Sequence, residues 1–382
     1  MPRWTIAALG LLLAVPRPGP ACSLCGGNLR QKPTFREDAA QPTARIVLIG
    51  TVKETAVNPR DGSGSTVLAV KTLLRSDPAL KSKDVVTVPR YLDPGDRKNP
   101  LQYLVFCDVF KGDLDPYRGV PLRCADGAEY VKKAMALDPR DRVNNLTFFF
   151  RYLEHPDKEI ARDAFLEFAK ATDQEIGQVG PRLDPAKLRT WLKDPQTPPE
   201  RLAVYAQLLG ACGGAEDAAF LRSLLNDTGE RVTNAYDGIL GGYIHLRPRE
   251  GWGLALATLR DGRKPLPVRL AVVRTLQFYH GWQPKESRAQ VLKGLEAMLV
   301  QGELADLAVE DLRQWKMWDL TREVLGLYGK KGYDSPIMQR AIVRYALSCK
   351  GDNAALSFLA DRRRREPDLV KEVEESLQFE MK

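Results

Sequence analysis

From about Ala128 to near the C-terminus, apolar residues recur at i, i+3, i+4 and i+7, the spacing of one face of an α-helix. Four stripes stand out: Ala161, Ala164, Phe165 and Phe168; Leu202, Tyr205, Ala206 and Leu209; Val268, Ala271 and Val272 with Thr275; and Met338, Ala341, Ile342 and Tyr345. Proline precedes each of them, at Pro156, Pro198 and Pro199, Pro265 with Pro267, and Pro336. Near a first turn, proline forfeits no helix hydrogen bond and presets φ, so these residues mark helix starts. The stripes are offset by 41, 66 and 70 residues, and the two longer offsets halve into units that would begin near Ala235 and Leu304. Second helices fit between the starts, in "EDAAFLRSLL", "ESRAQVLKGLEAML", "LTREVLGLY" and "NAALSFLAD". A two-helix unit of this length cannot bury its own apolar face. Neighbours must stack, which predicts an all-α solenoid.

The stretch from Ala44 to about Asp108 has a different period. "ARIVLIGTV" and "TVLAVKTLL" are β-branched runs separated by the turn-rich "NPRDGSGS", and "DVVTV" and "YLVFCDVF" follow around the loop "YLDPGDRKNP". No helix of useful length separates the four runs, which argues for a small antiparallel barrel or sandwich rather than a parallel sheet.

Both parts carry family resemblances. "HPDKEIARDAFLEFA", "TPPERLAVYAQLLG" and "DSPIMQRAIVRYAL" resemble HEAT-like repeats in their Pro or Asp start, first-turn Arg and Ala-Val/Ile core stripe. That resemblance runs from about Asp157 to the C-terminus and implies a protein-binding scaffold. Between Cys22 and Phe110, a Cys-rich start followed by "ARIVLIGTV", "VLAVKTLLRSDPALKSKDVVTV" and "YLVF" is similar to the netrin-like module. This second resemblance implies an OB-type barrel in a family that includes the tissue inhibitors of metalloproteinases. Those inhibitors begin with C-x-C, whereas this chain has C-x-x-C.

The first 21 residues read as a signal peptide, with Arg3 as n-region, Trp4–Val15 as apolar h-region and Pro16–Ala21 as c-region. The h-region is too short for a hydrocarbon core of ~30 Å, so no transmembrane segment is expected. An exported, periplasmic or extracellular protein follows, with Cys22 at its new N-terminus. Gly19-Pro20-Ala21 lacks the Leu of a lipobox, which argues against a lipid anchor on Cys22. The expected organisation is a leader over 1–21, a Cys-containing β-domain over 22–127, a linker or first helix over 128–155 and helical repeats over 156–382. The net charge of +8 includes only Arg3 and Arg17 from the leader, and such a dilute excess gives no case for nucleic acid. The basic run Arg362–Arg365, between Asp361 and Glu366, reads as a solvated helix face.

Six cysteines bear on chemistry. Cys212 and Cys349 continue helical stripes and read as buried thiols. Cys22, Cys25, Cys107 and Cys124 form an even set in an exported β-domain, which suggests disulfides from the Cys22/Cys25 segment to Cys107 and Cys124. The alternative is zinc held by the same four thiolates. Gly26 stands where a c-type haem motif needs His, and no strand precedes the pair as in a thioredoxin-like centre. His155, His245 and His280 fit no nucleophile elbow and no zinc-protease pair. "GGYIHLRPREGW" is the oddest helical stretch; Tyr243, His245, Arg247, Arg249 and Trp252 could line a groove, and a distorted inter-repeat loop is the plainer reading. The sequence therefore points to a non-enzymatic, exported scaffold that binds a protein partner through its repeats and requires no cofactor. The alternatives are a thiol- or metal-binding protein and a netrin-like protease inhibitor.

Overall fold

The computed structural model describes residues 32–58, 63–80, 84–96 and 99–380, and it has two parts: an antiparallel sheet followed by helices. The strands are β1 (Ile46–Val57), β2 (Gly64–Arg75), β3 (Val85–Val88), the short pair β4 (Gly95–Asp96) and β5 (Asn99–Pro100), β6 (Gln102–Phe110) and β7 (Asp113–Leu122). The main sheet has five strands in the order β3-β2-β1-β6-β7, and every pair is antiparallel. β1 reads "IVLI" without alternation because both of its faces are covered. Val47 and Ile49 join Leu104, Phe106, Val120 and Leu122 against helices, while Ile46 and Leu48 face Leu68, Val86, Tyr103, Val105 and Cys107 inside the curl of the sheet.

The sheet curls but does not close, which corrects the barrel expected from sequence. Register shifts between β1 and β2 bend the pair, as bulges do. The edge strands β3 and β7 draw near one another, and the turn at Pro78–Leu80 places Leu80 in the interior. No ladder joins β3 to β7. The four residues of β3 are too few to run along the ten-residue β7, and Pro116 and Pro121 leave β7 with two positions that cannot donate.

Eighteen helices are present among the described residues: α1 (Phe35–Ala40), α2 (Gly127–Ala136), α3 (Arg142–Phe150), α4 (Lys158–Ala169), α5 (Asp173–Val179), α6 (Pro185–Lys193), α7 (Pro199–Cys212), α8 (Ala215–Leu224), α9 (Glu230–Thr233), α10 (Tyr236–Leu246), α11 (Pro248–Arg260), α12 (Leu266–Trp282), α13 (Arg288–Leu299), α14 (Ala305–Gln314), α15 (Thr321–Leu325), α16 (Pro336–Ser348), α17 (Asn353–Arg365) and α18 (Pro367–Glu380). None is long and apolar enough to cross a membrane. The four proline-led stripes lie on α4, α7, α12 and α16, and the two halfway points, Ala235 and Leu304, are the residues immediately before α10 and α14. Within the stack, α10 packs on α7 and α12, α14 on α16, and α16 on α18, while α11 packs on α13 and α15 on α17. One apolar core runs from Phe35 through the sheet face to Val373 in α18.

α7 and α10 approach one another backbone to backbone, and glycine makes it possible. A Cβ on Gly238 would lie 1.9 Å from the Ala203 carbonyl oxygen, one on Gly242 2.2 Å from that of Ala206, and one on Gly210 2.3 Å from the Gly242 Cα. These obstacles are backbone atoms, so a side chain there must push the helices apart. Gly253 on α11 is a useful contrast, since its Cβ would meet nothing within 4 Å. We predict that Gly238→Ala lowers unfolding stability by about 1–3 kcal/mol through overpacking. Gly253→Ala should instead raise it by about 0.5–1 kcal/mol, the helix-propensity difference. Denaturant unfolding of the two variants beside the parent chain tests the contrast.

Candidate functional site at the junction of sheet and helices

Polar side chains concentrate where the sheet meets the helices, and α4 organises them. Its N-cap residue Asp157 accepts from Glu159 N at 3.0 Å and from Arg123 N, just after β7, at 2.5 Å. Further along α4, buried Asp163 accepts from Phe35 N at 2.7 Å and from the Tyr130 hydroxyl at 2.6 Å. This carboxylate therefore joins the start of α1, the middle of α2 and α4. Thr34 and Glu37 close a reciprocal capping box on α1, which fixes the direction in which Phe35 N points. Burial pushes the Asp163 carboxyl up to about 7; its bonds to Tyr130 and Phe35 oppose the rise, Glu167 adds to it and Arg118 opposes it.

Beside this bracket lies a cavity of about 760 Å³ lined by α1, the end of β2 and residues from α2 to α5. It presents Arg36, Arg75, Arg142 and Lys170 together with Glu37, Glu167 and Glu175. The charges are already matched. Lys170 pairs with Glu37 at 2.5 Å, and Arg142 pairs with Glu167 at 3.0 Å and with Glu175 at 3.6 Å. Arg75 donates to the carbonyls of Ala39 and Ala44. A ligand entering here would have to replace existing ion pairs, so the cavity reads chiefly as a polar seam that positions α1.

A second cluster sits at the outer end of the bracket. Cys124 and Asp126 lie on the connection from β7 into α2, and His155 lies in the turn that leads into α4. The Cys124 thiol, a His155 ring nitrogen and an Asp126 carboxylate oxygen lie within 4.8 Å of one another. His155 Nε2 is 3.2 Å from Asp126 Oδ2, and Asp157 N donates to His155 Nδ1 at 3.1 Å. Burial, Asp157 and Asp126 all push the Cys124 thiol up. A thiol in such a negative setting is a poor nucleophile, because reactive cysteines need an electropositive surrounding.

No protein-family model matches the chain, and no curated protein or solved structure resembles it.

The residues singled out from sequence disperse. Cys22 and Cys25 lie outside the described residues. Cys107 is buried in the curl of the sheet, where burial and Asp115 push its thiol up to about 12. Cys124 stands at the junction instead, so Cys107 is not one of its partners, and no two of the four described cysteines are bonded. Cys212 and Cys349 pack against the helical core, as their stripes suggested. The glycine-aromatic stretch is helix α10, a joint at Arg247, and α11. Tyr243 and Trp252 belong to the core and do not line a groove; Trp252 meets Tyr279 edge-on at 5.1 Å, and His245 stacks on Trp282 at 4.9 Å. Arg247 and Arg249 are exposed. The arginines of the 362–365 run pair with Asp361, Glu366 and Glu374. Asp163 and the proximity of His155 to Cys124 escaped the sequence reading, since nothing local marks contacts across such separations.

Asp163 makes the stability of the junction depend on pH. Its folded carboxyl titrates near 7 and its ordinary value is 3.8, so the folded chain keeps a proton that the unfolded chain releases in between. Its stabilising contribution is complete below the ordinary value and is lost as pH rises through the folded one. The parent chain should therefore lose stability relative to Asp163→Asn between about pH 4 and pH 7. Thermal unfolding of both chains across that range measures the difference; a constant offset would contradict the assignment.

Proposed function

We propose that this chain is an exported, non-enzymatic scaffold whose helical part is a HEAT-like α-solenoid that binds a protein partner. Support for the repeat reading comes from first-turn arginines that tie one unit to another. Arg201 on α7 reaches the carbonyls of Leu153 and Ala161, Arg269 on α12 meets Glu303 at 2.5 Å, and Arg340 on α16 meets Glu372 at 2.8 Å. Stacked units present a long surface without needing a catalytic constellation.

The observation that carries the binding reading is one rim of the stack. The connections α11–α12, α13–α14 and α15–α16 adjoin one another. Gln301 Nε2 donates to the Arg260 carbonyl at 3.3 Å, and a Cβ on Gly302 would lie 3.1 Å from the Gly332 carbonyl oxygen. Along this rim Leu266, Val300 and Ile337 are 41%, 67% and 67% exposed. Arg260, Lys264, Lys330 and Lys331 are exposed on the same connections and form no ion pair among the described residues; Asp261 and Glu303 are matched to Arg263 and Arg269, so the four cations face one unmatched acid there, Asp334. An apolar surface with an excess of cations along its connections suits a partner segment that combines apolar and acidic side chains.

A photo-crosslinking residue placed at Val300 should capture such a partner from the exported fraction. With the probe at position 300, the charge substitutions Leu266→Asp and Ile337→Asp should reduce capture at least tenfold while leaving the circular dichroism spectrum unchanged. Equal capture from Leu73, an exposed residue of β2, would show that the rim is not the docking surface.

A further inference from the structure

We propose that Cys124, His155 and Asp126 form a zinc site that clasps the end of the sheet to the start of α4. The three donors come from two separate segments of chain and converge to within 4.8 Å of one another. Protein ligands on a tetrahedral zinc stand about 2.0–2.3 Å from the ion, so they lie roughly 3.3–3.8 Å from one another, and filling the cluster requires a contraction of about 1 Å. Side-chain rotation can supply that shift, because Asp126 is exposed and Cys124 is only half-buried.

The donor chemistry selects the ion. A thiolate and an imidazole are poor ligands for calcium and magnesium and good ones for zinc, with the carboxylate compatible as a third. Local charge favours a cation as well. Asp126 and Asp157 both act on the thiol and Asp126 also faces the ring, and neither forms an ion pair with a lysine or arginine among the described residues. Three protein ligands leave the fourth position to water. Binding releases the thiol proton to solvent and forms a bond from sulfur to zinc, with no change of oxidation state. Ligation through Nε2, the nitrogen that faces Asp126, moves the ring proton to Nδ1, so His155 gives up both its hydrogen bond to Asp126 and the one it accepts from Asp157 N. That exchange makes the site weaker than a preformed one.

The position explains what the ion would do. Arg123, next to Cys124, already donates to Asp157, and Asp157 caps α4. A metal bond between Cys124 and His155 adds a second tie across the same joint, and it stabilises the folded chain by mass action. This inference is independent of the scaffold reading, since the clasp and the solenoid rim lie on different connections.

The test is zinc binding by the full chain, isolated without reductant and treated with chelator, read by equilibrium dialysis and by cobalt(II) substitution. One equivalent of zinc should bind, calcium should not compete, and bound cobalt should give a thiolate charge-transfer band in the near ultraviolet. Cys124→Ser and His155→Ala should each weaken binding at least tenfold and abolish or shift that band. The double variant Cys22→Ser, Cys25→Ser separates this site from the N-terminal pair. Binding that survives in both Cys124→Ser and His155→Ala but disappears in the double variant overturns the proposal. Peptide mapping that finds Cys124 in a disulfide in the isolated chain overturns it too, because the sulfur would then carry no thiolate. Circular dichroism of each variant shows whether a loss of binding comes from the ligand or from misfolding.

Discussion

The sheet and the helices meet around one carboxyl group that has no access to water. A buried carboxyl without hydrogen-bond partners is strongly destabilising, so Asp163 is tolerable only where donors are held against it. Those donors are the Phe35 amide and the Tyr130 hydroxyl, from segments 128 and 33 residues away. Satisfying Asp163 therefore fixes α1 and α2 on α4, and α1 and α2 supply Phe35, Ala39, Tyr130 and Val131 to cover one face of the sheet. The placement of the sheet follows from that of α4. Arg118 on β7, which pairs with Asp38 of α1, adds a further tie from the sheet to the same helix.

α4 is buried without a break from Asp163 to Ala169, which explains why it carries polar residues that are buried. Its apolar stripe faces the helical core, while Asp163 and Glu167, one turn apart, face α1, α2 and the polar cavity. Glu167 is held by Arg142 and Arg36 and Asp163 by neutral donors, so the two acids in one helix have different surroundings. α7 and α10 are also buried over continuous runs, Leu202–Gly210 and Tyr236–Ile244. There the limit is steric, with glycines letting α10 settle onto α7.

These differences account for what the sequence could convey. Four stripes, their proline starts and even the halfway positions at Ala235 and Leu304 were legible, because a helix that buries one face repeats its signal every turn. β1, β2, β3 and β6 were legible for the same local reason. β7 was not, since "DLDPYRGVPL" holds two prolines and a glycine, which read as loop and are tolerated here only at a sheet edge. The pair Gly241 and Gly242 was also misleading. It read chiefly as a distorted inter-repeat loop, with a groove as the alternative, whereas both glycines lie within helix α10 and make room for α7, which is packing between units 35 residues apart rather than a local property.

The candidate site was the least legible part, and the cysteines show why. Counting placed Cys107 and Cys124 together because both belong to the first part of the chain. They flank β7, and the two ends of that region have opposite surroundings. Cys107 points into the curl of the sheet among Ile46, Leu48 and Val105, where an ionised sulfur would have no solvation. Cys124 emerges past the last strand residue into a loop bearing Asp126, where a second loop brings His155 alongside. Parity of cysteines is a property of the list of residues; sulfur chemistry is a property of surroundings, which here are set by Asp157 drawing the end of β7 onto the start of α4. The cap that starts a helix thus also decides which sulfur meets an imidazole.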